Sequence, residues 1–252
     1  MSFVVIAFVV YSLCVTSTAD IAETIARIRE RMAGSAQRSG RDPREITLMA
    51  VSKRVSARHI REAYAAGLRL FGENRLQELA GKRSELGDAP EAEWHMIGHL
   101  QTNKAARAAE LFDAVDSLDS VRLAEKLNAA ARALRKKLAV LIEINLAGET
   151  AKSGLAPGSR ELEALLAGAS GWQNLAIRGL MAIPPFAEDP EAARPYFRRL
   201  RQLRDQIAAR RLPGVALNVL SMGMSHDFEV AIEEGSTCVR IGTAIFGERS
   251  RN

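Results

Sequence analysis

The stretch ITLMAVSK, residues 46–53, decides the fold of this chain. It begins apolar and β-branched and ends in a serine and a lysine, as expected of a buried parallel strand that stops at a polar edge. Seven further runs of this kind follow, and a helical pattern separates each from the next. Regular alternation of strand and helix predicts a parallel sheet.

The eight candidate strands are short apolar runs bounded by glycine or polar residues. They span residues 46–52, 68–72, 93–98, 111–117, 139–146, 175–183, 216–222 and 236–246. Eight strand–helix units in 252 residues predict a single closed (β/α)8 barrel of the TIM type, which typically has about 250 residues. Neither GxGxxG nor GxxxxGK[ST] occurs, so two common nucleotide-binding signatures of open sheets are absent from the sequence.

Helix boundaries follow from capping residues. Ser56, Asp119 and Ser225 each precede a helical pattern and are predicted to be N-caps. Pro195 is predicted in the first turn of a helix. An extra N-terminal helix is indicated by four apolar residues at helical spacing, and we expect it to cover the lower end of the barrel. These residues are Ile21, Ile25, Ile28 and Met32.

The first nineteen residues are more apolar than anything that follows. Residues 3–15 have the length of a signal-peptide hydrophobic region, and Ser17 and Ala19 are small enough for a cleavage site, but no lysine or arginine precedes them. We interpret residues 1–19 as an apolar extension, either signal-like or due to a misassigned start codon, and residues 20–249 as the folded domain. A cytoplasmic location is favoured, with export as the alternative.

Composition indicates a globular domain without a nucleic-acid or membrane partner. The chain is 47% hydrophobic and 26% charged. Its formal charge of +5 comes from arginines distributed along helices, which solvated helix faces explain. The two cysteines, Cys14 and Cys238, form no CxxC motif, so neither a disulfide framework nor a structural zinc site is indicated.

The ends of the predicted strands carry the candidate functional residues, because sites of such barrels lie at the carboxyl-terminal face. Partial desolvation of Lys53 would favour the neutral amine that forms an imine with an aldehyde. Gly242, Thr243 and the segment SMGMS, residues 221–225, offer amide and hydroxyl donors to a dianion. The structural alternatives are a lysine extending into solvent, a turn glycine and a capping serine.

Two hydrolytic alternatives have weaker support. His95 and His99 have i, i+4 spacing, but HMIGH lacks the glutamate of HExxH and follows a predicted strand, so hydrogen bonding within the barrel is favoured over metal binding. GMSHD, residues 223–227, has aspartate where a GxSxG nucleophile elbow requires glycine.

Seven segments of the chain follow a known family pattern, in the family's order. They are AVSK at 50–53, FGENR at 71–75 with Gln77 and Glu78, WHMIGHLQTNK at 94–104, GETAKSG at 148–154, RGLMAI at 178–183, LSMGMSHDFEVAI at 220–232 and GSTCVRIGTAIFG at 235–247. On these segments the chain resembles the YggS/PROSC family of pyridoxal phosphate (PLP) homeostasis proteins from residue 20 to residue 249. The resemblance implies a fold-type III PLP-binding barrel like the N-terminal domain of alanine racemase.

The resemblance also implies roles for individual residues. Lys53 would bind the cofactor covalently as a Schiff base. Ser221, Gly242 and Thr243 would hold the phosphate, with Ser225 and Met222 nearby. Asn74 would line the ring, Arg240 would face the pyridine nitrogen, and Lys152 could be a secondary site.

These roles favour a carrier of PLP over a dedicated enzyme. A guanidinium at the ring nitrogen disfavours its protonation, so carbanion chemistry should be slow. No room is expected for the second domain that supplies the opposing acid/base group of alanine racemase. We therefore expect a monomeric cofactor carrier with no catalytic residues and at most slow racemase-like activity, which would meet apo-PLP enzymes transiently. The alternative is a fold-type III amino-acid racemase or decarboxylase.

Overall fold

The computed structural model describes residues 18–86, 89–148 and 153–247. Eight strands close into a barrel in chain order, and each pairs in parallel with the next until β8 returns to β1. The strands are β1 Thr47–Val51, β2 Leu70–Glu73, β3 Glu93–Met96, β4 Ala114–Leu118, β5 Leu138–Glu143, β6 Leu175–Met181, β7 Val215–Met224 and β8 Cys238–Ile241. The predicted (β/α)8 barrel is confirmed.

Helices surround the barrel and connect successive strands. They are α1 Thr18–Arg38, α2 Ala57–Ala65, α3 Leu76–Arg83, α4 Ala105–Leu111, α5 Val121–Ala133, α6 Arg160–Gly168, α7 Arg194–Ala209, α8 Phe228–Glu233 and the single turn α9 Thr243–Phe246. Ser56 caps α2, as predicted, by accepting the N–H of His59. Pro195 lies in the first turn of α7, also as predicted. Within the described residues, no helix combines the length and apolar character needed to cross a membrane.

The strands separate two apolar regions. Side chains that face the helices, such as Leu48, Ala50 and Phe71, belong to the main core. A smaller cluster that includes Met49 and Ile97 lies apart from it, on the inner side of the sheet. Gly72 packs closely against this cluster, because a Cβ there would lie 2.8 Å from the sulfur of Met49 and would require that side chain to shift. The alternation of facing directions along each strand produces both regions.

The additional helix α1 lies in the outer layer, contrary to the expectation that it covers the lower end of the barrel. It packs against α8 and α2. Arg31 pairs with Glu229 at 2.9 Å, and Arg38 pairs with Glu233 at 3.0 Å. Apolar residues of α1 at helical spacing are buried against this surface, so its amphipathic face determines its position.

Two predicted caps are wrong. Helix α5 begins after Ser120, whose Oγ accepts the N–H of Leu123, whereas Asp119 pairs with His99 at 3.1 Å. Helix α8 begins after Asp227, and Ser225 bonds to a different segment of the chain. In both cases a neighbouring residue holds the cap position, because the strand ends later than its apolar pattern suggests.

The last predicted strand is also shorter than its apolar pattern. Residues 236–246 mix apolar residues with serine, threonine and arginine, and the strand ends at Ile241, after which the chain forms α9. Gly242 has φ −117° and ψ −76°, outside the extended region. The helical turn also buries apolar side chains, those of Ile245 and Phe246, so hydrophobicity alone does not distinguish it from the strand.

Candidate functional site

Lys53 lies at the carboxyl-terminal mouth of the barrel, which we call the upper mouth. Ala50 of β1 pairs with Phe71 on one side and with Ile241 on the other. The residues that follow β1 therefore lie between two other segments at this end of the barrel. These are Asn74, which follows β2, and the segment that follows β8. Lys53 is half-buried and lines a cavity of about 240 Å³. The residues that line this cavity are Lys53, Arg54, Asn74, Arg75 and Glu78.

Behind Lys53, a buried carboxylate connects the sheet to α3. Glu73 is 0% exposed, and its Oε1 accepts the hydroxyl of Ser52 at 2.7 Å and the ammonium of Lys82 at 2.8 Å. Burial raises the pKa of Glu73, while the bonds from Lys82 and Ser52 act in the opposite direction. The residue before Lys53 is thus held by a charged group outside the barrel.

The opposite wall is built from β7, β8 and backbone amides. Ser225 Oγ accepts the N–H groups of Gly242 and Ala244, each at 3.3 Å. Ser225, which follows β7, thereby caps α9 and fixes the direction of these amides. Gly242 is buried and Thr243 is exposed. The structure therefore brings together Ser225, Gly242 and Thr243, three of the residues predicted around a phosphate group.

Arg240 is a buried cation within this wall. It is 3% exposed and donates to Ser221 Oγ at 2.7 Å and to the carbonyl oxygen of Ala182 at 2.9 Å. Burial lowers the pKa of Arg240, and the charges of Asp116, Asp227 and Glu143 oppose this effect. Ser221 and Arg240 are thus joined in one hydrogen-bonded unit, and both were predicted at the site.

Met222 and His95 lie away from the upper cavity, whereas His99 lines an adjoining cavity of about 660 Å³ together with Asn74. Met222 is fully buried in the main core, and its carbonyl accepts the hydroxyl of Ser236 at 2.7 Å. His95 lies against the buried Asp116, with 3.1 Å between Nδ1 and Oδ1. His99 is exposed and pairs with Asp119 instead. Each histidine therefore has its own carboxylate partner and does not share a ligand position with the other.

Glu143, at the end of β5, is an ionisable residue that sequence reasoning missed. Its Oε1 accepts the hydroxyl of Ser153 at 2.9 Å, and within the described residues its Oε2 has no hydrogen-bond partner. Burial raises the pKa of Glu143, and the bond from Ser153 opposes the increase. The signal was present in the sequence, because a single glutamate interrupts the apolar run at 139–146. Lys152, the predicted secondary site, lies outside the described residues.

Comparison with protein families gives a match over most of the chain. Residues 21–250 match the alanine racemase N-terminal domain family. A pyridoxal phosphate homeostasis protein of Aquifex aeolicus is 46% identical over 229 residues, which cover 90% of this chain and 97% of that protein. A protein of the same name from Pseudomonas aeruginosa is also 46% identical, with coverage of 91% and 96%.

Solved structures agree with this relationship. PipY of Synechococcus elongatus with PLP bound superimposes with a TM-score of 0.80 at 39% identity, and the match covers 90% of this chain and all of that one. An alanine racemase of Clostridium difficile shares the fold at 14% identity and a TM-score of 0.66, and 57% of its chain is covered. The chain therefore belongs to the alanine racemase N-terminal domain family, within its group of pyridoxal phosphate homeostasis proteins.

Proposed function

We propose that this protein binds PLP covalently through Lys53 and carries or buffers the cofactor in the cytoplasm, without dedicated catalytic turnover. The observation that carries the proposal is the half-buried side chain of Lys53 at the upper mouth, at the end of a strand that pairs with β8, the strand that leads into Gly242 and Thr243. The names of the relatives and the PLP-bound structure of PipY support the choice of cofactor.

The residues at the upper mouth fit this cofactor. Its aldehyde condenses with a neutral amine and releases water, which leaves a carbon–nitrogen double bond. Lys53 would supply that amine from the upper mouth. The hydroxyls of Thr243 and Ser225 are suited to the phosphate group, and Ser221 and the N–H of Gly242, which donates to Ser225 Oγ in this structure, would extend this set of donors. Asn74 lines the Lys53 cavity and would contact the ring.

Arg240 supports a carrier in preference to an enzyme. A buried guanidinium, placed by Ser221 and Ala182, would disfavour protonation of a pyridine nitrogen facing it. The bound cofactor would then withdraw electrons weakly, and slow carbanion chemistry is the expected result. A racemase or decarboxylase would be favoured only by turnover at ordinary enzyme rates, since the alanine racemase likeness concerns the fold alone.

The role also implies partners. We propose a monomer that releases the cofactor transiently to apo-PLP enzymes and has no nucleic-acid or membrane partner. Met222, which is buried in the core, would contribute to the site through its backbone. Lys152 remains the proposed secondary site.

Reduction with borohydride followed by mass spectrometry tests the covalent site. The wild-type protein should be yellow with PLP and should yield one stable adduct on Lys53 after reduction. The Lys53→Ala variant should stay folded and lose the visible band. Lys104→Ala, which removes another lysine near the upper mouth, should retain the adduct. An equally strong band in Lys53→Ala would contradict the proposed site, and racemisation at ordinary enzyme rates would contradict the carrier function.

A further inference from the structure

Lys82 of α3 connects the backbone on both sides of Lys53. Its Nζ donates to the carbonyl oxygen of Ser52 at 2.8 Å. The same Nζ lies 3.7 Å from Glu78 Oε2, and that oxygen accepts the backbone N–H of Arg54 at 2.8 Å. Lys53 therefore stands between two residues that are held by one group of charges. We call Glu73, Glu78 and Lys82 the α3 clamp.

Burial makes the charges of the α3 clamp interdependent. Glu73 is 0% exposed and the side chain of Lys82 is 15% exposed. A buried carboxylate is costly unless it is paired and hydrogen-bonded. Without the Lys82 ammonium, Glu73 would be driven towards its neutral form, and the Ser52 carbonyl would lose its charged donor.

The backbone on the other side of Lys53 is strained. Arg54 has φ +57°, in the left-handed region that residues with a side chain seldom adopt. The bond from its N–H to Glu78 helps to hold this conformation. Lys82 fixes the position of Glu78 through the i, i+4 pair on α3. The turn that presents Lys53 is thus maintained by contacts with the helix layer.

We propose that Lys82, together with Glu73 and Glu78, is a positioning residue that directs Lys53 into the upper mouth and thereby strengthens its covalent bond to PLP. A lysine on a fixed backbone loses less conformational entropy on bonding than one on a loose turn. The inference rests on the proposed function of Lys53. The α3 clamp would affect the bond between Lys53 and the aldehyde of the cofactor. It would not affect the binding of the phosphate group.

Two ligands separate this role from a general effect on the fold. PLP bonds to Lys53, whereas pyridoxine 5′-phosphate has an alcohol in place of the aldehyde and binds without that bond. The Lys82→Met variant of the full chain should bind PLP about tenfold more weakly, the effect expected for loss of one charge-assisted hydrogen bond. Its affinity for pyridoxine 5′-phosphate should equal that of the wild-type protein.

Lys136→Met is the matched control. Lys136 is also partly buried and donates to a backbone carbonyl, that of Phe112, at 2.9 Å, but it lies at the opposite end of the barrel. It should bind both ligands as the wild type does. Glu78→Ala, which removes the acceptor of the Arg54 N–H, provides a second test should Lys82→Met fail to fold, and it should weaken PLP binding selectively.

The other possible results of these binding experiments each lead to one conclusion. If the wild type does not bind PLP covalently, the proposed function fails before the variants are compared. If the wild type does so and Lys82→Met, or Glu78→Ala in its place, binds PLP equally well, the inference about the α3 clamp is overturned alone. Equal weakening of both ligands would also overturn it, because that result indicates a structural role.

Discussion

The two mouths of the barrel each contain a buried carboxylate paired with a base, but the pairs face opposite sides of the sheet. At the amino-terminal end of the barrel, which we call the lower mouth, Asp116 and His95 meet inside the barrel and line a cavity of about 390 Å³. At the upper mouth, Glu73 and Lys82 meet between the sheet and α3. Side chains alternate between the two faces of a strand, so a shift of one residue decides the side on which a charge lies.

Among the described residues, the two mouths present different groups to their cavities, His95 and Asp116 at the lower mouth and Lys53 at the upper mouth. His95 is occupied by the carboxylate beside it. Burial would lower the pKa of His95, but Asp116, Glu93 and Asp113 raise it above the ordinary value. Cys238, also at the lower mouth, is inert at neutral pH because burial raises its pKa to about 12. At the upper mouth the ion pair of Glu73 and Lys82 lies on the outer side of the sheet, and Lys53 lines the cavity.

The largest expected effect comes from Gly223→Ala in the upper wall. Gly223 has φ +91°, and a Cβ there would lie 2.5 Å from Ala231 Cβ and 3.0 Å from Phe228 Cα. Backbone strain and overpacking together should lower the free energy of unfolding by about 3 kcal/mol. Denaturant unfolding measures the change, and PLP affinity should fall as the neighbouring Ser221 and Ser225 shift.

The control for Gly223→Ala is Gly81→Ala in α3. No atom lies within 4 Å of a Cβ at Gly81, so alanine should stabilise this helix by about 0.5–1 kcal/mol. Equal stability of Gly223→Ala and the wild type would show that the upper wall is adaptable, and the proposed rigid set of donors would then lose its support.

The Asp116→Asn variant tests the lower mouth. Loss of the charged hydrogen bond to His95 should lower the free energy of unfolding by about 2 kcal/mol, measured below pH 6.5, where His95 is protonated. PLP binding at the opposite mouth should be unchanged. Glu45→Gln, an exposed carboxylate at the same mouth, should change stability by less than about 0.5 kcal/mol. A large loss of PLP affinity in Asp116→Asn would contradict the conclusion that the pair at the lower mouth does not affect ligand binding at the upper mouth.

Removal of the Ser225 hydroxyl gives a smaller effect that should be confined to the upper mouth. Ser225→Ala loses the bonds to Gly242 and Ala244 and should cost about 1 kcal/mol of unfolding free energy. It should also weaken the binding of PLP and of pyridoxine 5′-phosphate alike, since both carry the phosphate. Ser159→Ala removes an ordinary cap of α6 and should show the stability loss only. If the two variants bind PLP equally, Ser225 has no role in binding.

The smallest effect is the dependence of stability on pH at the lower mouth. A group whose folded pKa is raised stabilises the fold fully below its unfolded pKa, and this contribution is lost as pH rises through the folded pKa. The His95 contribution should therefore decline above pH 6.5, the ordinary value for imidazole. Unfolding measured across this range should show a shallower decline in His95→Gln. Identical slopes in both proteins would mean that the pair does not stabilise the fold.

Much of the fold was predictable from local pattern. Each of the eight strands lies within or close to its predicted apolar run, and Lys53 follows β1 as expected. The boundaries that failed are two helix caps that a nearby residue holds instead and a strand that ends before its predicted end. Ser225 is the clearest case, because its hydroxyl bonds to amides seventeen and nineteen residues further along the chain.

The α3 clamp was not predicted. Glu78 and Lys82 have the i, i+4 spacing of an ordinary exposed helix pair. Glu73 is one of several polar residues after a predicted strand. No local pattern in the sequence indicates that α3 places these charges against Ser52 and Arg54, which lie more than twenty residues earlier.

The sequence by itself determined the alternation of strand and helix and the lysine at the end of the first strand, because both depend on side-chain periodicity along short segments. The tertiary structure alone decided which side of the sheet each buried charge faces and which backbone groups it holds. The physical reason is that barrel closure brings distant segments into contact, and a buried charge is stable only where such a segment supplies its partner.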